Sequence, residues 1–440
     1  MTDWMRFFSP FDLALFLLSV LGWVVGGWLL VRALFAPRPH ERLLLGLASG
    51  WALHLTLVNL LVQALPMLWA NLLAAAMILV AGLALGRRAP LSRAQLKPEL
   101  RAWPQLLALA LLTLLFESAL RGFSLFDEYL HLPLVSIMGA GDIPPHFYGN
   151  ASLPFAYHYG LHIFAALLTR LANFYPYTAW DLARGFSIAL TAVLGWLWVR
   201  RFTRSALAGT LGSLLITLGG GARWLLLLLP ASALNWISAG VQMSNTGLDT
   251  GANLVEALSR PWHAEGLGDM PLPFAFLNGA FSPQSFALGA ASALPAVIVL
   301  LLLLFAKPAP SLKNPGGLAL LALLLAGLAL SAEHLYAMLW AGVWLALLIA
   351  WRSARRQKRR LQPGWIAGWA IVLLGSALLS AVQGGYITVT LQSWLARLAG
   401  TAAASSYVYG FGLRWPPAVV TGHLGNLNPL DPRQLAALLA

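Results

Sequence analysis

Two adjacent carboxylates, Asp127 and Glu128, open the stretch DEYLHLPLVSIMGAGDIPPHFYGNASLPFAYHYGLH (127–162), just after an apolar run that ends near Leu120. A carboxylate held where a chain leaves a membrane is partly desolvated, so it can act as a general base or hold a metal. His131 lies one helical turn further on and could face the same site. Asp142 follows in the turn GDIPP, and FAYHYGLH gathers Tyr157, His158, Tyr159 and His162, with the two histidines four apart on one helix face. Arg184, in DLARGFS, falls near the end of an apolar run, where a guanidinium usually has a partner or a ligand. Glu333 and His334 stand in ALSAEHLYAMLW, at a tight turn between two apolar runs.

Each of these residues also has a plainer role. Asp127 can cap a short helix with Glu128 in its first turn, where the helix dipole favours an acid. His131 can snorkel at an interface. Asp142 can form an Asx-turn, and Glu333 and His334 can close two helix ends. An aromatic belt explains Tyr157 and Tyr159 better than it explains His158 and His162. GGGAR (219–223) lacks the strand and helix context of a phosphate loop.

The elements that must position these residues are membrane helices. Of 440 residues, 59% are hydrophobic and only 10% charged, against about 25% charged in a soluble domain. Apolar runs of about 20 residues recur along the chain, as a bilayer core of roughly 30 Å requires. The expected fold is all-α and polytopic, with about 10 spans near 11–35, 43–65, 67–85, 103–120, 180–199, 205–229, 282–306, 316–332, 335–351 and 364–382. There is no cysteine, hence no disulfide or thiolate chemistry.

The net charge of +13 is a topology signal rather than a nucleic-acid footprint. Of the 28 basic residues, 19 fall in five segments that alternate with the remaining loops, and only Glu41 and Glu99 of the 15 acids join them. Those segments are expected to be cytoplasmic, with the N-terminus and the long loops outside. The run RSARRQKRR (352–360) reads as a stop-transfer anchor on anionic lipid. This orientation requires 157–174 and 224–240 to lie at the outer interface as amphipathic helices rather than cross.

Three regions follow: a three-span accessory bundle (1–102), a transmembrane core (103–382) with outer loops 121–179 and 230–281, and an outer segment (383–440). The last reads as the start of a further helix at Asp431 and Pro432, as in a chain that continues.

FDEYLH after a span, then GDIPP, an aromatic-rich helix, ARGFSIAL and the basic end RRFTRSALAG together resemble the first third of a GT-C fold glycosyltransferase. That superfamily holds the protein O-mannosyltransferases, aminoarabinose transferases and oligosaccharyltransferases. The resemblance covers about 103–230, with weaker support at 276–340. It departs in its three preceding spans and in having LPFAYHYG where many relatives carry Lys-Pro-Pro-Leu.

The resemblance implies transfer of a sugar from a polyprenyl-phosphate donor to an acceptor hydroxyl on a glycan, lipid or protein, at the outer face of the cytoplasmic membrane. It implies Asp127 as general base and Glu128 as its electrostatic support. Arg184, His158 and His334 would meet the leaving phosphate, with His131, Asp142, His162 and Glu333 lining the site. No cofactor is fixed: some relatives use a divalent metal and others none, and a metal here would fall to Asp127 and Glu128. The rival is a transporter or flippase of a solute or lipid-linked glycan, for which His54 and Asn59 in the second span speak. A third reading is an inactive scaffold of the same shape.

Overall fold

The computed structural model describes residues 4–35, 37–87, 93–122, 128–219, 223–242, 253–259, 261–263, 271–276, 293–305, 311–357, 363–401, 415–421 and 425–439. The chain is predominantly helical and divides into two compact units, Met1–Ser213 with Ala290–Val408, and Leu214–Gly289 with Tyr409–Ala440.

The first unit opens with helices α1 (Pro10–Leu34), α2 (Arg42–Leu61) and α3 (Met67–Gly86). Ser9 caps α1 by accepting from the Asp12 amide at 3.3 Å, Pro10 fixes the first turn and Arg32 sits in the last. A Cβ at Gly27 would collide with the backbone of Gly46 and Gly50, so glycine lets α1 and α2 touch main chain to main chain. Next come α4 (Arg93–Leu100), α5 (Trp103–Gly122), α6 (Glu128–Gly139), a ribbon of β1 (His146–Phe147) and β2 (Asn150–Pro154), α7 (Gly160–Leu171), α8 (Pro176–Thr203) and α9 (Ala206–Leu218). The unit resumes with α12 (Ala293–Phe305), α13 (Pro315–Ser331), α14 (Glu333–Arg356), α15 (Pro363–Val382) and α16 (Gly385–Leu398).

Seven helices among the described residues are long and apolar enough to cross a membrane: 10–34, 39–61, 67–86, 96–121, 176–203, 333–356 and 364–382. The protein is thus a multi-pass helical membrane protein. The other three expected spans are shorter helices in the described residues, at 206–218, 293–305 and 315–331. α9 ends at Leu218 just before three glycines, and the apolar run beyond it forms a 3-10 turn at Arg223–Leu228 rather than more helix.

Within the segment 157–174 the helix is short, and it does not lie on the surface as an interfacial helix would. α7 has twelve residues, ten of them buried, and it packs against α6, α8, α2 and α13. Its small residues Gly160, Ala165 and Ala166 are spread around the helix among its leucines, so hydropathy alone could not separate interface from core. Trp51, Tyr159, Trp180 and Phe305 are among the fully buried side chains of this unit.

The second unit holds the 3-10 turn, α10 (Ala231–Ser238), α11 (Leu254–Ser259), the ribbons β3 (Pro261–His263) with β4 (Pro271–Phe276) and β5 (Val419–Thr421) with β6 (Gly425–Leu427), and α17 (Pro432–Leu439). Its small core gathers Leu226, Leu234, Ile237, Val241, Leu254, Leu258, Leu427 and Ala437.

Candidate functional site

The chemistry-bearing residues of the first unit meet at one end of its bundle, where α5 ends and α6, α7, α8 and α14 begin. His131 on α6 and His162 on α7 bond directly, Nδ1 to Nε2 at 2.8 Å, and both are buried. One ring must donate and the other accept. Trp180 of α8 forms the platform beneath them, its ring 4.8 Å from His131 and 4.4 Å from His162 in stacked geometry. Burial holds His162 well below its ordinary value, and His131, His158 and Arg184 push the same way. His162 is therefore a neutral imidazole at pH 7, and its Nδ1 has no hydrogen-bond partner among the described residues.

His158 is not on the helix with His162. α7 starts at Gly160 with Tyr159 as its cap residue, so His158 belongs to the preceding loop. Tyr157 joins the two instead, 4.1 Å from the His158 ring in stacked geometry and 5.9 Å from His162 edge-on. His158 Nδ1 reaches Glu333 Oε2 at 3.9 Å, with 44% of the His158 side chain still accessible. Desolvation lowers the His158 pKa, Glu333 pulls it up, and His334 lowers it again. His334 is exposed beside this pair.

Arg184 is buried on α8 and held by Asp181 three residues earlier, with its guanidinium 5.4 Å from the Trp180 ring centre. One turn of α5 supplies a second pair, Arg121 Nε to the buried Glu117 Oε1 at 2.7 Å, with Arg121 partly accessible. Arg121 also donates to Thr178 Oγ1 at 3.2 Å and lies over Trp4. Asp142 is tied to His146: Oδ2 accepts from the His146 amide at 2.8 Å, and Oδ1 meets its Nδ1 at 2.7 Å. The turn is thus closed by Asp142 itself.

Asp127 lies outside the described residues, as does the side chain of Glu128, the first residue of α6. Among the described residues no group of three histidines or carboxylates is placed to hold a metal.

The sequence reading missed Trp180, Asp181, Glu117 and Arg121. Asp181 and Glu117 were available to it, since i,i+3 and i,i+4 acid–base spacing places partners on one helix face. Trp180 carries no such signal.

A second polar cluster lies where α15 breaks before α16. Gly384 and Gly385 have φ of +90° and +76°. The freed Gln383 carbonyl accepts from Asn59 Nδ2 at 2.7 Å and from the Tyr159 hydroxyl at 3.2 Å. A third joins the first three helices: Ser19 donates to Asn71 Oδ1 at 3.1 Å, and His54 Nε2 lies 3.3 Å from the Asn71 carbonyl.

The far end of the bundle is basic, and its two acids are fully buried. Glu99 accepts from Arg42 at 2.7 Å and from Trp28 at 2.8 Å, with Arg32 at 3.5 Å. Glu41 pairs with Arg201 at 2.5 Å.

No protein family, curated protein or solved structure matches this chain.

Proposed function

We propose that the protein is a membrane glycosyltransferase that moves a sugar from a polyprenyl-phosphate donor to an acceptor hydroxyl at the outer face. What supports this is the meeting of His131, His162, Trp180, His158, Glu333 and the Asp181–Arg184 pair at the bundle end where α6 begins. The donor's phosphate would sit at the membrane interface and its tail among the helices. Asp127 takes the proton of the acceptor hydroxyl, and Glu128 supports it. The acceptor oxygen bonds to the anomeric carbon as the carbon–oxygen bond to phosphate breaks, with inversion, and polyprenyl phosphate leaves. Charge grows on that phosphate, so cations near it stabilise the transition state. His158 and His334, at the accessible rim, are the candidates that solvent and ligand can reach. Arg184 is fixed by Asp181 and Trp180 and supplies an oriented charge.

The test is thermal stabilisation of the purified protein by polyprenyl phosphate against the matching alcohol, because a ligand of the native state raises apparent stability. The phosphate is expected to stabilise and the alcohol not. Arg184→Ala alone would strand a buried acid at a cost of about 3–5 kcal/mol. The informative variant is therefore the double neutral Asp181→Asn, Arg184→Gln, which is expected to fold and lose the phosphate effect. Asp127→Asn with Glu128→Gln is expected to keep lipid binding and abolish transfer. Full activity in that variant would overturn the assignment.

One observation favours a second reading, a transporter. The α15–α16 break carries a buried main-chain carbonyl outside the helix ladder, met by Asn59 and Tyr159, and broken helices with buried polar partners mark many transport sites. Solute-dependent flux in proteoliposomes without sugar transfer would select it.

A further inference from the structure

We propose that the second unit carries a carbohydrate-binding cleft over the C-terminal end of α10. Two adjoining cavities of about 430 and 540 Å3 share Ala239 in their walls, and each lies in the roughly 300–1,000 Å3 range of small-molecule sites. Five of the twelve described lining residues are side-chain amides, Asn235, Gln242, Asn253, Asn426 and Gln434, and Glu256 is the one acid among them. Among the described residues no lysine or arginine lines either cavity, in a chain of net charge +13. Arg433 packs beside Gly240 but is closed onto Asp431, Nη2 to Oδ2 at 2.9 Å.

The chemistry of the lining selects the ligand. A carboxamide both donates and accepts, as a sugar hydroxyl does, so a wall of amides matches a polyol without demanding charge. An anion would need a cation, and none lines the cleft among the described residues. A peptide would need apolar pockets for its side chains, and among the described residues Val255 and Leu427 are the only large apolar side chains here. Part of the amide set is held in place by the fold. Asn253 Oδ1 accepts from the Glu256 amide at 2.8 Å, and Gln434 Oε1 accepts from the Asn428 amide at 2.5 Å, which leaves the NH2 of each to donate outward. Asn235, Gln242 and Asn426 are exposed and make no side-chain hydrogen bond among the described residues. Trp236, next to Asn235 but outside both cavity walls, keeps 51% of its surface accessible and can cover the apolar face of a sugar ring that extends past Asn235.

The inference stands on the cleft alone and would give the transfer reading a glycan acceptor. Its test uses the full chain in a detergent without a sugar headgroup. Saturation-transfer NMR is recorded with maltohexaose, cellohexaose, mannohexaose and chitohexaose, and with a heparin hexasaccharide and hexaalanine as charged and peptide controls. At least one neutral oligosaccharide is expected to bind, and neither control. Asn235→Ala with Asn426→Ala removes two exposed amides that bond to nothing else, and Trp236→Ala removes the flat face. Each is expected to weaken binding about tenfold, the loss of one or two net hydrogen bonds or a stacking contact. Binding by none of the four, equal binding of heparin or peptide, or full affinity in both variants would overturn the cleft. The amide variant is expected to keep its stabilisation by polyprenyl phosphate, so this inference and the transfer reading fail separately.

Discussion

His162 bears the most distinctive environment of any titratable residue in the site: buried, bonded to a second imidazole and stacked on Trp180. Its folded pKa is lowered from the ordinary 6.5, burial being the largest cause. The sign of the consequence is fixed by linkage. Above pH 6.5 both folded and unfolded chains hold it neutral, and it contributes no slope. Below pH 6.5 the unfolded chain takes up a proton that the native state refuses, so stability falls as the pH falls. The apparent melting temperature is expected to drop between pH 7 and pH 5, and His162→Gln is expected to flatten that drop. An unchanged slope in the variant would show that other groups carry the acid sensitivity. The sequence made parts of this site legible and hid others for a physical reason. His131 and His162 were both recognisable as histidines near a membrane boundary, but their bond spans 31 residues and depends on how α6 meets α7. Asp181–Arg184 and Glu117–Arg121, by contrast, lie within one turn of their helices and could be read from spacing. His158 was placed wrongly on a helix because the 3.6 period was extended two residues past the real start of α7.

At the scale of elements, the long apolar helices were legible because a bilayer leaves so few alternatives. Their ends at Leu34, Gly86, Thr203 and Val382 fall within a few residues of the hydropathy boundaries. The short buried α7 was not, since a segment enclosed by other helices looks the same in sequence as one facing lipid. The α15–α16 break was legible as the end of a span at 382, but the helix that resumes at Gly385 after Gln383-Gly384-Gly385 was not. That break makes its own prediction. Gly384 has a left-handed φ of +90°, and a Cβ there would collide with the Tyr159 hydroxyl and the Pro144 ring. Gly384→Ala therefore meets both backbone strain and a clash, together about 1–3 kcal/mol or more. It is also expected to displace Tyr159, the cap residue of α7, and so disturb the histidine pair. Gly342→Ala on α14 is the matched control, since nothing lies within 4 Å of the added carbon and alanine favours a helix by about 1 kcal/mol. Unfolding in a denaturant series should separate the two. Equal stability would mean that the bundle repacks around the break with ease.

For the molecule as a whole, orientation rests on charge. The end of the bundle opposite the candidate site holds Arg32, Arg38, Arg42, Arg201 and the arginines of the α14 terminus. Its two acids, Glu41 and Glu99, are both consumed in ion pairs with those arginines. What remains accessible there is positive, including Arg355 and Arg356 in the last turn of α14. Positive loops are retained on the cytoplasmic side, which would put the histidine cluster and the β1–β2 ribbon outside, where a lipid-linked sugar would be used. The absence of cysteine makes this directly measurable, since any introduced thiol reports alone. Ser152 lies on the exposed β2 strand and Arg356 at the exposed end of α14. In intact cells a membrane-impermeant maleimide is expected to label Ser152→Cys and not Arg356→Cys, and to label both once the membrane is opened. The reverse pattern would place the cluster inside and end the outer-face transfer reading, because its donor and acceptor would then lie on the wrong side. Labelling of both in intact cells would instead mean an odd number of crossings between residues 152 and 356 does not hold, and one of the shorter helices at 206–218, 293–305 or 315–331 would have to be recounted as a span or removed from the set.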